Sequence, residues 1–188
     1  MMKIAFVIFN GMTGLDFVGV YDTVIRLKTM HFRKDIYWDI CSNTKIVKDN
    51  SGLGFTPTKV KKSLAKYDLI IIPGGYGTRK LRHNKKFMIW IKSARSVPLK
   101  VSVCTGALLL GSAGFLKGIC ATTHLNAFKE LSEYCEKVVN KRIVDEGKVI
   151  TARGVTSAID LGLYLCEKLA GNKAKEKIRV QMDYKTKK

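Results

Sequence analysis

Apolar residues in this chain form short unbroken runs that alternate with longer segments of helical spacing. The runs that are typical of buried strands lie at residues 3–9, 68–72 and 99–103. A glycine follows each run within three residues, which indicates a tight turn at the strand end. One more strand is predicted at 37–41, and short hairpin strands are predicted within 43–55 and 138–151.

The segments of helical spacing lie between these strands. We predict helices at about 15–28, 79–95, 105–114 and 156–169, followed by a basic tail helix. Strands that alternate with helices indicate an α/β fold, here a three-layer sandwich with a mostly parallel central sheet and helices on both faces. Since the chain has no internal repeat and no Pro/Ser-rich linker, we expect one domain over residues 1–188, with a basic tail from about residue 172.

The charge of the chain is strongly unbalanced. It has 34 Lys and Arg against 15 Asp and Glu over 188 residues, a formal net charge of +19. Such a surplus suits nucleic acid or an anionic membrane. The basic residues are nevertheless spread over several segments, and no zinc finger, RNP motif or helix-turn-helix signature is present. We therefore expect no nucleic-acid partner, and a ten-residue longest apolar stretch predicts no membrane span.

The five cysteines are odd in number and widely separated along the chain. No CxxC motif or Cys/His cluster is present, so neither a disulfide framework nor a metal site is predicted. The apolar run at the N-terminus is too short for a secretory signal. These features predict a cytoplasmic protein with reduced thiols.

One cysteine stands where chemistry is expected. In the segment KVSVCTG, a strand ends at Val103, Cys104 lies at the tip, and a helix begins at once. Ser102 and Gly106 on either side are small, as a sharp strand-to-helix turn requires, and this pattern is typical of a nucleophile elbow. A thiol at a helix N-terminus is expected to have a lowered pKa, and the Thr105 N–H would face the same space. The alternative is that Cys104 is a buried core cysteine.

Two other strand ends are expected to meet Cys104, because ligands of open α/β sheets bind beyond the carboxyl ends of the strands. The loop after the first strand contains Asp16, and the loop after residues 68–72 contains Gly74 and Gly75. The predicted site therefore combines a carboxyl group, a glycine backbone cradle and a thiol. Asp16 has an alternative role as a first-turn helix residue that the helix dipole stabilises.

The segments IIPGGYGT, VSVCTGALLLGSAGFLKG, ATTH and VITARGVTSAIDLGL resemble the ThiJ/PfpI superfamily. GMTGLDFVG narrows the resemblance to the isonitrile hydratase-like branch. The resemblance implies a flavodoxin-like, class I glutamine amidotransferase-like fold and a homodimer. Leu125 and Arg153 depart from the usual residues of that branch, which leaves the substrate open.

The resemblance also implies roles for individual residues. Cys104 would be the nucleophile, Asp16 its carboxyl partner and Thr105 the neighbour that shapes the site. Gly75 and Thr105 N–H groups would stabilise an oxyanion. His124 follows Cys104 by twenty residues and either orients the thiolate or has a structural role near the turn at Thr122 and Thr123.

These residues predict cysteine-dependent hydration of a small molecule, with an isonitrile converted to an N-substituted formamide as the first hypothesis. No metal or organic cofactor is expected for this reaction. Glyoxalase-like or amidase chemistry with the same thiol is the enzymatic alternative. A thiol redox or stress-response protein without turnover is the alternative from a different class.

Overall fold

The computed structural model describes residues 1–185 of the chain, and Thr186 to Lys188 of the predicted basic tail lie outside them. The strands are β1 (Met2–Val7), β2 (Ile36–Ser42), β3 (Val47–Lys48), β4 (Gly54–Phe55), β5 (Lys59–Val60), β6 (Leu69–Ile72), β7 (Leu99–Val103), β8 (Cys120–Ala121), β9 (Lys137–Val138), β10 (Ile143–Asp145) and β11 (Val149–Ala152). The α-helices are α1 (Gly14–Thr29), α2 (Gly77–Leu81), α3 (Lys85–Lys92), α4 (Gly106–Ser112), α5 (Phe128–Leu131), α6 (Ser157–Ala170) and α7 (Asn172–Gln181).

The central sheet has seven strands in the order β10-β11-β7-β6-β1-β2-β5. Neighbouring strands are parallel throughout, except that β10 pairs antiparallel with β11 at one edge. From β1 the chain first adds β2 and β5 on one side of the sheet. It then crosses to the other side of β1 and adds β6, β7 and β11, so the strand order reverses between β1 and β6. The carboxyl ends of β1, β6 and β7 therefore lie side by side at one edge of the sheet.

Helices cover both faces of this sheet. Helices α1, α6 and α7 pack together in one layer, and α2, α3, α4 and α5 form the other. The four residues of β6 and the last four of both β1 and β7 are buried, since these strands lie in the middle of three layers. The predicted three-layer α/β sandwich with a mostly parallel sheet is confirmed.

Most predicted elements match the structure to within two residues. The hairpins predicted within 43–55 and 138–151 are present as β3–β4 and β10–β11. The single basic helix predicted at 79–95 is wrong. The Asn84 side chain accepts a hydrogen bond from Phe87 N at 3.0 Å, which caps a new helix and separates α2 from α3. A 3₁₀ turn, Ser93–Ser96, follows α3.

The elements that the sequence pattern missed are all short. They are the two-residue strands β5, β8 and β9, the 3₁₀ turn Leu125–Ala127 and the four-residue helix α5. Two residues are too few for alternating hydrophobicity to show, so tertiary contacts alone define these strands. Within residues 1–185, no helix has the length and apolar character that crossing a membrane requires.

Helices α1 and α6 approach each other closely at two glycines. A Cβ atom on Gly19 would lie 2.9 Å from the Ala158 Cβ, and one on Gly162 would lie 2.5 Å from the Thr23 Cβ. Both glycines are buried, so neither contact can be relieved by a side chain that moves into solvent. This contact fixes the position of α1, the helix that contains Asp16 in its first turn.

We predict that Gly162→Ala destabilises the protein, because the added methyl group overlaps the Thr23 side chain between two packed helices. Overpacking of this kind lowers the free energy of unfolding by about 1–3 kcal/mol. Urea unfolding measures the change. Gly54→Ala is the matched control, because a Cβ there meets no atom of the described residues within 4 Å. Equal stability of the two variants would contradict the prediction.

Candidate active site

Cys104 forms the predicted elbow between β7 and α4. Its φ is +55°, in the left-handed region that non-glycine residues rarely adopt. Its backbone is held on both sides, since Cys104 N donates to Ala152 O at 3.0 Å and Thr123 Oγ1 donates to Cys104 O at 2.8 Å. These bonds hold the cysteine in a strained conformation, as is common at functional sites.

Gly106 allows the chain to turn sharply after Cys104. A Cβ atom at this position would lie 2.4 Å from Ile72 O and 2.7 Å from Pro73 O, at the end of β6. Only glycine permits that approach between the start of α4 and the neighbouring strand. The small residue that the sequence predicts here is therefore required by contact with β6.

Gly74 brings the carboxyl and thiol groups to the same place. Its N–H donates to Asp16 Oδ2 at 2.9 Å. A Cβ on Gly74 would lie 2.5 Å from Thr105 N and 2.8 Å from both Asp16 Oδ2 and the Cys104 Cβ. The glycine loop therefore lies directly against both groups, and the predicted convergence of the three strand-end loops is observed.

Asp16 is fully buried, with 0% of its surface exposed. Burial raises the pKa of this carboxyl from 3.8 to about 7, because the charged form loses its hydration. The Gly74 N–H and the neighbouring Cys104 thiol oppose that rise in pKa, since both favour the ionised carboxylate. Burial is therefore the dominant effect on the pKa of Asp16.

Cys104 is also buried, with 5% of its surface exposed. Burial is the main cause that raises the pKa of Cys104 from 9.0 to about 12, and the negative charge of Asp16 raises it further. The Thr105 N–H and side chain lower this pKa, but less than the other groups raise it. The expectation of a lowered thiol pKa at the helix N-terminus is therefore wrong, because burial outweighs the helix end.

These two groups titrate as a pair. Between the pKa of Asp16, about 7, and that of Cys104, about 12, the pair holds one proton. The thiolate then forms by transfer of this proton from sulfur to the carboxylate, which conserves the charge of the buried site. Asp16 can therefore act first as a base toward the thiol and then as an acid.

Thr105 and Gly75 are joined by hydrogen bonds. Gly75 N donates to Thr105 Oγ1 at 2.9 Å, and this hydroxyl lies 3.1 Å from Gly75 O, to which it donates. The sequence predicts two oxyanion donors. Thr105 N–H faces the thiol. Gly75 N–H already donates to Thr105 Oγ1, and it would have to give up this hydrogen bond in order to bind an oxyanion. The oxyanion role of both groups stays a prediction.

A cavity of about 280 Å³ opens above the thiol. Its walls consist of Thr13, Asn50, Gly75, Tyr76, Arg79, Cys104, Thr105, His124, Asn126 and Val155. Asp16 and Gly74 lie behind this wall, in contact with Cys104. Among residues 1–185, no group of three or more His, Cys, Asp or Glu side chains is placed to hold a metal ion.

His124 lies in the cavity wall, where its contacts are those of a structural residue. Its Nδ1 accepts from Asn126 N at 3.3 Å and caps the 3₁₀ turn Leu125–Ala127. The adjacent Thr123 binds the Cys104 carbonyl. The bonds found for His124 within residues 1–185 do not include one to Cys104, whose carboxyl neighbour is Asp16. A catalytic contribution from His124 stays a prediction.

Sequence reasoning missed five polar or aromatic residues of the cavity: Thr13, Asn50, Tyr76, Arg79 and Asn126. Asn50 joins two loops, since its Nδ2 donates to Thr13 Oγ1 at 3.2 Å and its Oδ1 accepts from Tyr76 N at 3.3 Å. Arg79 follows Gly75 by four residues, and that proximity to a strand-end loop is the signal that could have identified it. Leu125 and Arg153 do not line the cavity.

These features define a class of protein: a flavodoxin-like α/β sandwich in which a strained cysteine and a buried carboxyl group meet at the carboxyl edge of the sheet. The sequence model of the DJ-1/PfpI family matches residues 2–168. The chain therefore belongs to the DJ-1/PfpI family, as the resemblance to ThiJ/PfpI proteins implied.

Similarity to individual proteins extends over most of the chain. An isonitrile hydratase from Pseudomonas putida is 31% identical over 184 residues, which are 97% of this chain and 78% of that protein. The glutathione-independent glyoxalase DJR-1.2 of Caenorhabditis elegans is 29% identical over 69% of this chain and 71% of its own length. The crystal structure of a ThiJ/PfpI family protein from Pseudomonas syringae superposes with a TM-score of 0.89 at 25% identity, over 100% of this chain and 76% of that one.

We predict that Asp16→Asn lowers the pKa of Cys104 below about 12, because the variant lacks the negative charge beside the thiol. The pKa should stay above 9.0, since burial is the larger cause of its rise. Alkylation rates of Cys104 against pH, followed by peptide mass spectrometry, give this value. Asp39→Asn is the control, since Asp39 lies near a different buried thiol, Cys41. An unchanged or higher pKa of Cys104 in Asp16→Asn would show that the carboxyl does not act on this thiol.

Proposed function

We propose that this protein hydrates small isonitriles to N-substituted formamides, with Cys104 as the nucleophile and Asp16 as the proton donor and acceptor. The observation that supports this proposal most is the buried Cys104–Asp16 pair, which holds one proton beside a small cavity. The similarity to an isonitrile hydratase over 97% of the chain supports the same reaction. A carboxylic acid and a thiolate are the two groups that the first step requires.

The first step adds the thiol across the terminal carbon of the isonitrile. Asp16 takes the thiol proton and delivers it to that carbon, while the Cys104 sulfur forms a bond to the same carbon. The product is a thioimidate, R–N=CH–S–Cys, and Asp16 is left as a carboxylate. No net charge is created in the site, which suits two groups that are 0% and 5% exposed.

The second step consumes water. The Asp16 carboxylate accepts a proton from water as the oxygen adds to the thioimidate carbon, and it then donates this proton to the nitrogen, which gives the tetrahedral intermediate R–NH–CH(OH)–S–Cys. The hydroxyl proton passes to Asp16 as the carbon–sulfur bond breaks, and the sulfur leaves as a thiolate. Collapse releases R–NH–CHO and restores one proton to the pair. In this proposal the Thr105 N–H, which faces the thiol, stabilises the oxygen in the tetrahedral intermediate. The overall reaction is the addition of one water molecule to the isonitrile, which gives the N-substituted formamide.

Gly74 and Thr105 have supporting roles in this scheme. Gly74 N–H holds Asp16 Oδ2 in place, and the Thr105 hydroxyl fixes the neighbouring Gly75. Gly75 itself has a φ of +131°, and a Cβ there would lie 2.4 Å from Gly11 O. The loop after β6 is therefore closely packed against the loop after β1, which supports the positions of the carboxyl and thiol.

We predict that Cys104→Ala and Asp16→Ala each abolish formamide production from cyclohexyl isocyanide. The first variant lacks the nucleophile, and the second lacks the group that moves the proton. Product formation followed by chromatography measures the loss, and Cys120→Ala is the control, since Cys120 lies in β8, outside the cavity wall. Full activity in either site variant would refute this mechanism.

The same enzyme preparation distinguishes the alternative activities. Methylglyoxal tests glyoxalase-like chemistry, and a simple amide tests amidase chemistry. Turnover of either without isonitrile turnover would replace the proposed reaction. A redox role is tested by the intact mass of the protein after mild peroxide treatment, with Cys104→Ser as the comparison. Oxidation of Cys104 in a protein that turns over none of these substrates would support the redox role.

We predict that kcat/KM for isonitrile hydration rises as the pH increases through about 7, the pKa of Asp16 in the free protein. Below this pH the carboxyl and the thiol are both protonated, so the base that forms the thiolate is missing. Each pH unit below 7 should reduce the rate about tenfold. A pH–rate profile from 5 to 9 measures this. A flat profile over that range would contradict the role given to Asp16.

A further inference from the structure

We propose that Arg79 makes this cavity selective for substrates that bear an anionic group, so that the isonitriles it prefers are those with a carboxylate near the reacting end. The proposal rests on the proposed function for the reaction. Anion recognition by the cavity does not depend on the hydration reaction, so one experiment tests anion recognition and another tests the reaction.

Arg79 is the cationic side chain in the wall that also contains Cys104. It lies in α2, which starts directly after the glycine loop of β6, and 37% of its side chain is exposed. Because Arg79 and the thiol line one cavity of about 280 Å³, a small molecule at the thiol is also close to the guanidinium.

The charge of Arg79 is only partly compensated. Glu130 on α5 binds Arg79 Nη2 through Oε1 at 2.9 Å and Arg82 Nη1 through Oε2 at 3.0 Å. Two guanidinium groups thus share one carboxylate, and this group of three side chains has a net charge of +1. Glu130 also holds Arg79 in position, which reduces the entropy lost when an anion binds.

Within the described part of the chain, the rest of the cavity wall offers no opposing charge. None of its residues is Asp or Glu, and the amide side chains of Asn50 and Asn126 are further polar groups in the wall. Asp16 is the carboxyl group nearest the thiol, but it lies behind the wall and is protonated for part of the time at neutral pH. A positive, polar wall and a neutral thiol therefore favour a ligand whose reacting end is neutral and whose other end is an anion.

Iodoacetate and iodoacetamide test anion recognition independently of turnover. The two reagents alkylate the same sulfur and have nearly the same shape, but only iodoacetate has a negative charge. The ratio of their rates at Cys104, measured by peptide mass spectrometry, removes any effect of a changed thiol pKa, since both reagents need the same thiolate. Cys120 in the same samples gives the ratio for a thiol outside the cavity.

We predict that Arg79→Gln lowers the iodoacetate-to-iodoacetamide ratio at Cys104 about fivefold, the effect of one charge a few ångströms away in water. Arg79→Lys should restore most of the ratio, because it keeps the charge. Arg95→Gln is the matched control: it removes the same charge from an exposed residue in the 3₁₀ turn before β7, at the opposite edge of the sheet. High salt should reduce the wild-type ratio.

The activity test uses isocyanoacetate and its methyl ester. The wild-type protein should favour the carboxylate by kcat/KM, and Arg79→Gln should lose that preference. If the alkylation ratio falls but neither isonitrile turns over, anion recognition stands and the proposed hydration is wrong. If Arg79→Gln and Arg95→Gln leave the alkylation ratio equally unchanged, this inference is overturned, whatever the activity.

Discussion

The site depends on the close approach of Gly74 to three groups at once. Its N–H binds Asp16, and its Cα lies where any side chain would overlap Thr105 N and the Cys104 Cβ. The loop after β6 is thereby pressed between the first turn of α1 and the elbow after β7. Without that contact the carboxyl on α1 and the thiol at the elbow would be separate features. With it they lie beside each other and titrate as a pair.

Close packing of two helices on one face of the sheet also helps to position Asp16 beside Cys104. Gly19 and Gly162 let α1 and α6 approach closely, and this contact fixes the helix from which Asp16 projects. Burial then sets the chemistry of the pair, since it raises the pKa of both groups. At rest the site is therefore a carboxylate beside a protonated thiol and not an activated thiolate, and proton transfer to Asp16 is the step that creates the nucleophile.

The net charge of +19 has one local consequence at this site. Most lysines lie on exposed helix faces and loops, away from the cavity, where they affect solubility more than binding. Arg79 differs because α2 starts at a strand-end loop and therefore places this cation in the cavity wall. The net charge does not distinguish Arg79 from the other basic residues, whereas its position in the same cavity wall as Cys104 does.

The sequence by itself determined the layers, the positions of the buried strands along the chain and the elbow at Cys104, because these follow from local apolar patterns and from small residues next to the turn. It also placed Asp16, Gly74 and Cys104 at one edge, since parallel strands end on the same side. Tertiary structure alone decided the break at Asn84, the two-residue strands, the cavity residues and the direction of the thiol pKa. Each of these depends on contacts between distant segments, and above all on burial, which no local pattern records.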